Sequence, residues 1–514
     1  ALPAPATGDR PALEQAYVEP EGPAETRLAA IFAEVLGVDR VGALDNYFAL
    51  GGDSIRSIQV LARARSEGLQ FTLPQLFGGP SVRQLAARTL QSTAEGPIQP
   101  VAPLELLDAA DAQRLPAEVE DAYPLIELQA GMLFHAAYSA ETAVYHDVFG
   151  CRVKGPLDEE RLQDALKVVA SRHATLRTRF ALSGFSRPLQ LVQREITVPL
   201  AVHDLSELDE AQRAAALARF MEEEKARSFD WNTAPLAGLH AHRLSPDSFY
   251  LTLSFHHAIL DGWSVATLLA ELFALYTAPP DGPAGLTPPP RLGYRDFVAL
   301  EQTALADPQV AAYWRDKVAD LERTELPRDP ELTPGDAPGA LAVEERTLEA
   351  QLSERLEALA RRLGVPLKSL LLAAHCRVIA LASGSPRVTT GLVTNGRPEA
   401  EDGERMLGLF LNTLPVSLTI AGTWAELIEA ALAAERELLP RRRYPIARIQ
   451  REAGGEPLFE TVFNYNHFHV YDQLERLDTL EVDDPTVFEY TNFPLVVNFQ
   501  KGAAGDFLQF ALSY

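Results

Sequence analysis

The sequence predicts a small all-α module followed by a much larger α/β region built in two layers. Three observations carry that expectation. Residues 24–92 show only helical periodicity, whereas the chain from 121 onward alternates helical and strand periodicity. A length of 514 residues exceeds what one hydrophobic core organises, so more than one domain is expected. Within 249–273 the period changes in mid-segment. Phe249, Leu251, Leu253 and Phe255 alternate with Tyr250, Thr252 and Ser254, as in a strand with one buried face. Val265, Leu268, Leu269, Leu272, Phe273 and Tyr276 then recur at helical spacing, with Ser264 at the expected N-cap.

In chain order, residues 1–23 are rich in Ala, Pro, Gly and Glu and read as a linker. Leu28, Ile31, Phe32, Val35 and Leu36 form one helical stripe that Gly37 should end. Leu44, Tyr47 and Phe48 anchor a looser stretch. Gly51-Gly52-Asp53-Ser54 then opens a second helix through Ile58, Leu61 and Ala62, where a serine at the helix start would ordinarily be a cap. Val82, Leu85, Ala86 and Leu90 mark a third helix. Residues 93–120 form a Pro- and Ala-containing bridge whose Leu104, Leu106 and Leu107 should lie on the next domain.

Beyond it, helices are expected around 128–135, 157–173 and 207–227, with strands at 188–193 and 196–202. The Pro/Gly run after Tyr276 divides a first lobe, 121–285, from a second, 286–514. In the second, 298–318, 353–363, 367–381 and 424–439 read as helices and 387–393, 414–420, 459–465 and 496–499 as strands.

Composition narrows the function. Hydrophobic content of 47% with 23% charged residues is ordinary for a globular chain. A formal net charge of -25 disfavours nucleic acid as a partner, and the run Arg441-Arg442-Arg443 is expected to be a solvated face. Cys151 and Cys376 sit in apolar surroundings, leaving neither a disulfide framework nor a cysteine metal site. No basic leader precedes an apolar core and no apolar run reaches bilayer length, so a cytoplasmic protein without a membrane partner is expected.

The chemistry concentrates at His256-His257-Ala258-Ile259-Leu260-Asp261-Gly262, on a turn that follows a core strand. A rigid strand end holds an imidazole more accurately than a free loop does. No second histidine lies at i+4 and no cysteine is near, so no metal is expected. The imidazoles are either satisfied core groups or acid–base groups suited to neutral pH. Asp261 either orients a ring nitrogen or pins the turn through an arginine, and Gly262 permits close backbone approach.

Two resemblances sharpen this. The stretch FALGGDSIRSIQVLARA resembles peptidyl carrier proteins of nonribosomal peptide synthetases. That implies a helical-bundle carrier domain over 24–92 with 4'-phosphopantetheine covalently attached to Ser54. The stretch SFHHAILDGWS resembles the HHxxxDG signature of synthetase condensation domains, which belong to the acyltransferase group that includes chloramphenicol acetyltransferase. YPLIELQAGMLFHA at 123–136, RHATLRTRF at 172–180, YW at 313–314, GLFLNTLPV at 408–416, RRYPIARI at 442–449 and FNYNHF at 463–468 agree in the same order.

This second resemblance implies an α/β condensation domain of two chloramphenicol-acetyltransferase-like lobes around a tunnel. It implies amide bond formation between two carrier-bound thioesters, with His257 catalytic and His256, Asp261 and Gly262 in support. Arg397 is the expected salt-bridge partner of Asp261, and Asn412 is expected in a crossing loop, lining the tunnel, bridging the lobes or simply capping the loop. Expected partners are a downstream aminoacyl carrier domain, upstream and downstream adenylation domains and a phosphopantetheinyl transferase, in antibiotic or siderophore biosynthesis. Two alternatives remain at this point, a carrier with an epimerisation domain, in keeping with Gly-Gly-Asp-Ser, and a noncatalytic docking module.

Overall fold

In the computed structural model, residues 8–11, 13, 15–89, 98–138, 145–279, 287–328, 342–466, 481–488, 493–501 and 508–514 are described, with the backbone alone at 54, 55 and 483–488. Helix Gly22–Leu36 buries Leu28, Ile31 and Phe32 and ends at Gly37, whose φ of 71° is the left-handed conformation glycine adopts without penalty. Helices Ser54–Ser66 and Val82–Thr89 follow as expected, and a short helix, Leu73–Gly78, lies between them. Its signal was in the sequence: Thr72 and Gln75 form a capping box, with a proline in the first turn. The four helices enclose Phe32, Tyr47, Leu61, Phe71, Leu76 and Leu85.

The described part of the expected linker 1–23 does not float. Arg10 binds the nearly inaccessible carboxylate of Asp45 at 2.6 Å, and Gly8 donates to the Gly37 carbonyl at 2.9 Å. A buried carboxylate requires a partner, and Arg10 supplies it from outside the helices. The bridge after the carrier packs down as expected. Leu104, Leu107 and Leu115 cover a small core with Val119 and Leu191, and the Val101 N–H donates to Asp296 at 2.7 Å.

The first lobe centres on a five-stranded sheet in the order Glu481–Phe488, His146–Lys154, Ser248–His256, Ala237–Ser245, Leu200–Asp204. Helices Glu159–Arg172 and Gly262–Tyr276 pack together over one face. The strand Ser248–His256 was expected to bury one face; it buries both. Helix Glu210–Lys225 covers the second face, where Glu224 accepts from the Ser254 hydroxyl at 2.5 Å. The second lobe is a six-stranded mixed sheet in the order Leu411–Thr419, Arg387–Asn395, Thr461–Asn466, Leu495–Lys501, Leu508–Ser513, Val343–Thr347. Leu367–Ser383 and Trp424–Leu438 pack together and against this sheet.

Two further features depart from the sequence expectation. The helix expected over 298–318 is two, Tyr294–Ala306 and Pro308–Ala319, because Asp307 caps a new start with Pro308 behind it. A division at 285 and 286 also separates segments that fold together. Strand Glu481–Phe488 pairs with His146–Lys154 of the first lobe, and Tyr294, Phe297, Met406, Leu407, Leu409 and Phe410 belong to the first lobe's core. Among the described residues the chain thus returns from the second lobe to the first at 406–410 and again at 481–488. Among the described residues no single helix is long and apolar enough to cross a membrane.

Candidate active site and docked carrier

The strand Ser248–His256 stops at the first histidine, so His257 is the first residue of the turn. The turn is held from three sides. The His257 N–H donates to the Tyr145 carbonyl at 2.8 Å, the buried Gln129 amide donates to the Ala258 carbonyl at 2.8 Å, and the Asp261 N–H donates to the Gly408 carbonyl at 3.0 Å. His256 is buried, with its Nδ1 accepting from the Ala258 N–H at 3.1 Å. Burial, with His257 and His146 nearby, pushes the His256 imidazole down to about 3, so it is neutral at ordinary pH. His257 is more accessible, and its Nδ1 lies 2.5 Å from the carboxylate of the buried Asp147.

The helix cap is Asp261, not Ser264: the Asp261 carboxylate accepts the Ser264 N–H at 2.8 Å. Asp261 also meets Arg397, with N and O 2.9 Å apart and both side chains inaccessible. Arg397 donates further to the Ser264 hydroxyl at 2.8 Å and to the carbonyls of Gly403 and Met406 at 3.3 and 2.5 Å, and its guanidinium lies over the Phe410 ring. The second Asp261 oxygen accepts the Phe410 N–H at 3.1 Å. Gly408 is required here, since a Cβ would lie 2.2 Å from the Tyr294 ring. The crossing segment is therefore 403–410, clamped onto the histidine turn.

Asn412 lies just past this segment. Its amide donates to the Arg442 and Tyr444 carbonyls at 2.9 and 2.8 Å and its oxygen accepts the Ile446 N–H at 3.2 Å, so it staples a loop within its own lobe. The arginine run is not a solvated face either. Arg442 is buried, and Arg442 and Arg443 both bind Glu399, which their charges hold well below the usual carboxylate range against the cost of burial. Arg441 lies over the Tyr313 ring.

The carrier touches this crossing segment at Glu404 and the second lobe on either side of it. Gln59 donates to the Glu404 carboxylate, and Arg65 donates to the Glu399 carbonyl at 2.6 Å. Asn46 donates to the Gly364 carbonyl at 3.0 Å, and Leu439 is buried within the carrier's own core. Ile58, Leu73 and Phe77 face Leu438, Leu439 and Arg442 across a cavity. Burial raises the Glu404 carboxyl above its usual range, opposed by Gln59 and by Arg63, Arg405 and Arg397.

Ser54 begins its helix, and its side chain lies outside the described residues. Capping falls to Asp53, whose carboxylate accepts the Arg56 N–H at 2.9 Å. Gly51 takes a φ of 95°, and a Cβ on Gly52 would lie 2.3 Å from the Tyr47 ring, so the turn before Ser54 needs both glycines. A helix start with Arg56 in its first turn suits the phosphodiester of a pantetheine arm. Asp53 and Arg56 are also close enough to act on the Tyr465 hydroxyl of the second lobe, which burial chiefly raises.

The family described as "Condensation domain" matches residues 119–514. The chain belongs to the condensation-domain family. Residues 26–89 match the family described as "Phosphopantetheine attachment site", so a phosphopantetheinylated carrier domain precedes the condensation domain, the pair typical of amide-bond formation in nonribosomal peptide synthetases.

The chain is 38% identical to AMB antimetabolite synthetase AmbE of Pseudomonas aeruginosa, over 98% of this chain and 24% of that protein. It is 31% identical to malpinin synthetase of Mortierella alpina, over 96% and 7%, and 31% identical to phosphinothricin tripeptide synthetase PhsB of Streptomyces viridochromogenes, over 83% and 35%. It thus spans between 7% and 35% of the length of these relatives. Its fold is that of the condensation domain from Monacolin K polyketide synthase MokA, with a TM-score of 0.66 at 19% identity covering 77% of this chain and 92% of that one. The first condensation domain of the calcium-dependent antibiotic synthetase gives 0.63 at 21%, covering 76% and 91%. The two-lobed α/β expectation is met.

The sequence reading missed Asp147, Gln129, Glu399 and Glu404. Gln129 was legible within QAGMLFHA as a polar residue on an otherwise apolar segment. Asp147 carried no signal, because its meaning comes from a turn residue more than 100 residues away.

Proposed function

We propose that this chain delivers a donor acyl group from Ser54 and joins it to the amine of an acceptor held by a downstream aminoacyl carrier domain. What supports the reading is that the carrier contacts Glu399 and Glu404, the second of which belongs to the segment 403–410 that clamps the Asp261-bearing turn. In this reading 4'-phosphopantetheine on Ser54 supplies a mobile thiol that holds the donor as a thioester at high effective concentration.

His257 holds the attacking amine and takes its proton late, since a thioester is already an activated acyl donor. The amine nitrogen bonds to the donor carbonyl carbon, the carbon–sulfur bond breaks, and the proton ends on the released thiol. His256 is a buried, neutral neighbour, while Asp261, Gly262 and Arg397 hold the turn. Upstream and downstream adenylation domains supply the acyl groups, a phosphopantetheinyl transferase modifies Ser54, and the product is a small secondary-metabolite peptide. The two cysteines are free and buried, as suits the reducing cytoplasm where we place the protein.

The test uses the full chain. Loading with alanyl-alanyl-coenzyme A by a broad-specificity phosphopantetheinyl transferase should add the arm by intact mass in wild type and not in Ser54→Ala. Offered a set of aminoacyl N-acetylcysteamine thioesters, the loaded protein should extend at least one, and His257→Ala should not. Absence of the arm in wild type, undiminished extension in His257→Ala, or solvent-deuterium exchange at the donor α-carbon without extension would overturn the proposal.

A further inference from the structure

The histidine turn has a partner that the HHxxxDG pattern does not contain. Strands His146–Lys154 and Ser248–His256 pair antiparallel in continuous register, with His146 opposite His256 and Asp147 opposite Phe255. His257 comes just past the end of this ladder, where its N–H is held by the Tyr145 carbonyl at 2.8 Å and its Nδ1 by the Asp147 carboxylate at 2.5 Å. One partner, Asp147, lies near the start of the neighbouring strand and the other, Tyr145, just before it. Tyr145 itself sits at φ 63°, a conformation a tyrosine adopts only when its surroundings impose it. Its ring rests edge-on against His135.

We propose that Asp147 is a positioning residue for the transfer reaction: it accepts the Nδ1–H of His257, fixing the ring plane and the tautomer so that Nε2 is the nitrogen presented to the reacting amine. A carboxylate accepts hydrogen bonds but cannot donate one, so a ring nitrogen facing it carries the proton. In neutral imidazole the other nitrogen then holds the lone pair. When Nε2 takes the amine's proton, the resulting imidazolium lies against a buried negative charge that stabilises it. His257 thereby becomes both oriented and more basic, which matters for an amine that must lose a proton as it acylates.

Among the described residues, the other ionisable groups around the turn do not duplicate this. His256 is held neutral by burial. His146 is lowered by burial and engages Ser254 at 2.7 Å, with Glu224 and Arg227 paired behind it. Asp261 is committed to Arg397, and His135 faces Tyr145 from the helix Glu127–Tyr138.

The inference rests on the proposed role of His257 as the reacting residue, and its test separates the two. In the full chain labelled with nitrogen-15 histidine, the His257 ring is assigned by its loss in His257→Gln. Wild type should show the neutral ring protonated on Nδ1. The isosteric Asp147→Asn should lower the His257 titration midpoint by about one pH unit or more, and Asp147→Glu should recover part of that shift. In single-turnover extension, Asp147→Asn should fall about 10- to 100-fold in rate with acceptor KM unchanged, and its acid limb should move to lower pH.

A wild-type ring protonated on Nε2, or a midpoint unmoved in Asp147→Asn, overturns the proposal, and the first needs no variant to fold. The expected ring behaviour, with extension insensitive to both Asp147→Asn and His257→Ala, would refute the catalytic role of His257 and leave the Asp147 contact a structural one.

Discussion

Replacing Asp261 by alanine should be among the most damaging single changes in the condensation domain. The side chain performs three tasks at once: it pairs with Arg397, caps helix Gly262–Tyr276 through the Ser264 N–H, and receives the Phe410 N–H of the crossing segment. Removing one partner of an ion pair this deeply buried costs about 3–5 kcal/mol, because the other charge is left unpaired. Loss of an N-cap adds about 1 kcal/mol. The two overlap, since Arg397 keeps its bonds to Ser264, Gly403 and Met406, so a total of about 4 kcal/mol is reasonable.

Trp263, one residue into the same helix and bonded to the Glu404 carbonyl at 2.9 Å, is a local reporter. Its urea transition should move to a much lower midpoint in Asp261→Ala. Asp261→Asn combined with Arg397→Met, which removes both charges, should lose clearly less than the two single changes summed. A loss below about 1 kcal/mol in Asp261→Ala, or strict additivity in the double variant, would refute the claim that this pair holds the turn.

Three further outcomes are expected. Burial pushes the Glu301 carboxyl up to about 8 while it accepts the Glu127 N–H at 2.9 Å. Its folded form therefore prefers the proton, and the cost of ionising it is absent below the ordinary carboxylate range, grows as pH rises from there toward 8 and then levels off. Glu301→Gln should match wild type at pH 4 and exceed it at pH 9 by on the order of 5 kcal/mol in denaturant unfolding. Gln59→Glu would set a carboxylate against Glu404, so single-turnover extension from the loaded carrier should slow several-fold while Ser54 loading is unchanged. Asn412→Ala leaves two carbonyls and one N–H of the 442–446 loop without partners, so hydrogen exchange there should accelerate with a loss of about 2 kcal/mol.

Local order was legible where the signal was local. Gly37 ended its helix, the apolar stripe of Gly22–Leu36 was buried, and the histidine strand and its helix lay where the change of period put them. The reading failed where distant segments meet. Thr252 and Ser254 look solvent-facing by alternation, yet helix Glu210–Lys225 covers them. Arg442 looks like a surface residue within a basic triplet, yet Glu399 neutralises it from 43 residues away. Strand Glu481–Phe488 was invisible because its sequence, EVDDPTVF, has neither clean alternation nor a run of apolar residues; the first lobe's free sheet edge recruits it. At the site, the pairing of Asp261 with Arg397 came from a resemblance, while the contact of Asp147 with His257 is a product of strand register that no local pattern announces.

The crossing segment explains why docking and chemistry can share so few residues. Its carbonyls at Gly403 and Met406 are taken by Arg397 and that at Gly408 by Asp261 and Ser264, so its backbone is already fixed by the motif. Leu407 and Phe410 anchor it further in the first lobe's core, and Thr175 bonds the Leu407 carbonyl at 2.8 Å. A carrier that settles on Glu399 and Glu404 therefore meets a surface that need not be ordered on arrival, and the polar contacts of Gln59 and Arg65 are not spent on immobilising a loop. The same rigidity sets the direction of sensitivity. Changes on the carrier face can weaken docking without disturbing His257, whereas a change at Asp261 or Arg397 loosens the turn and the carrier's seat together, because one stretch of backbone serves both.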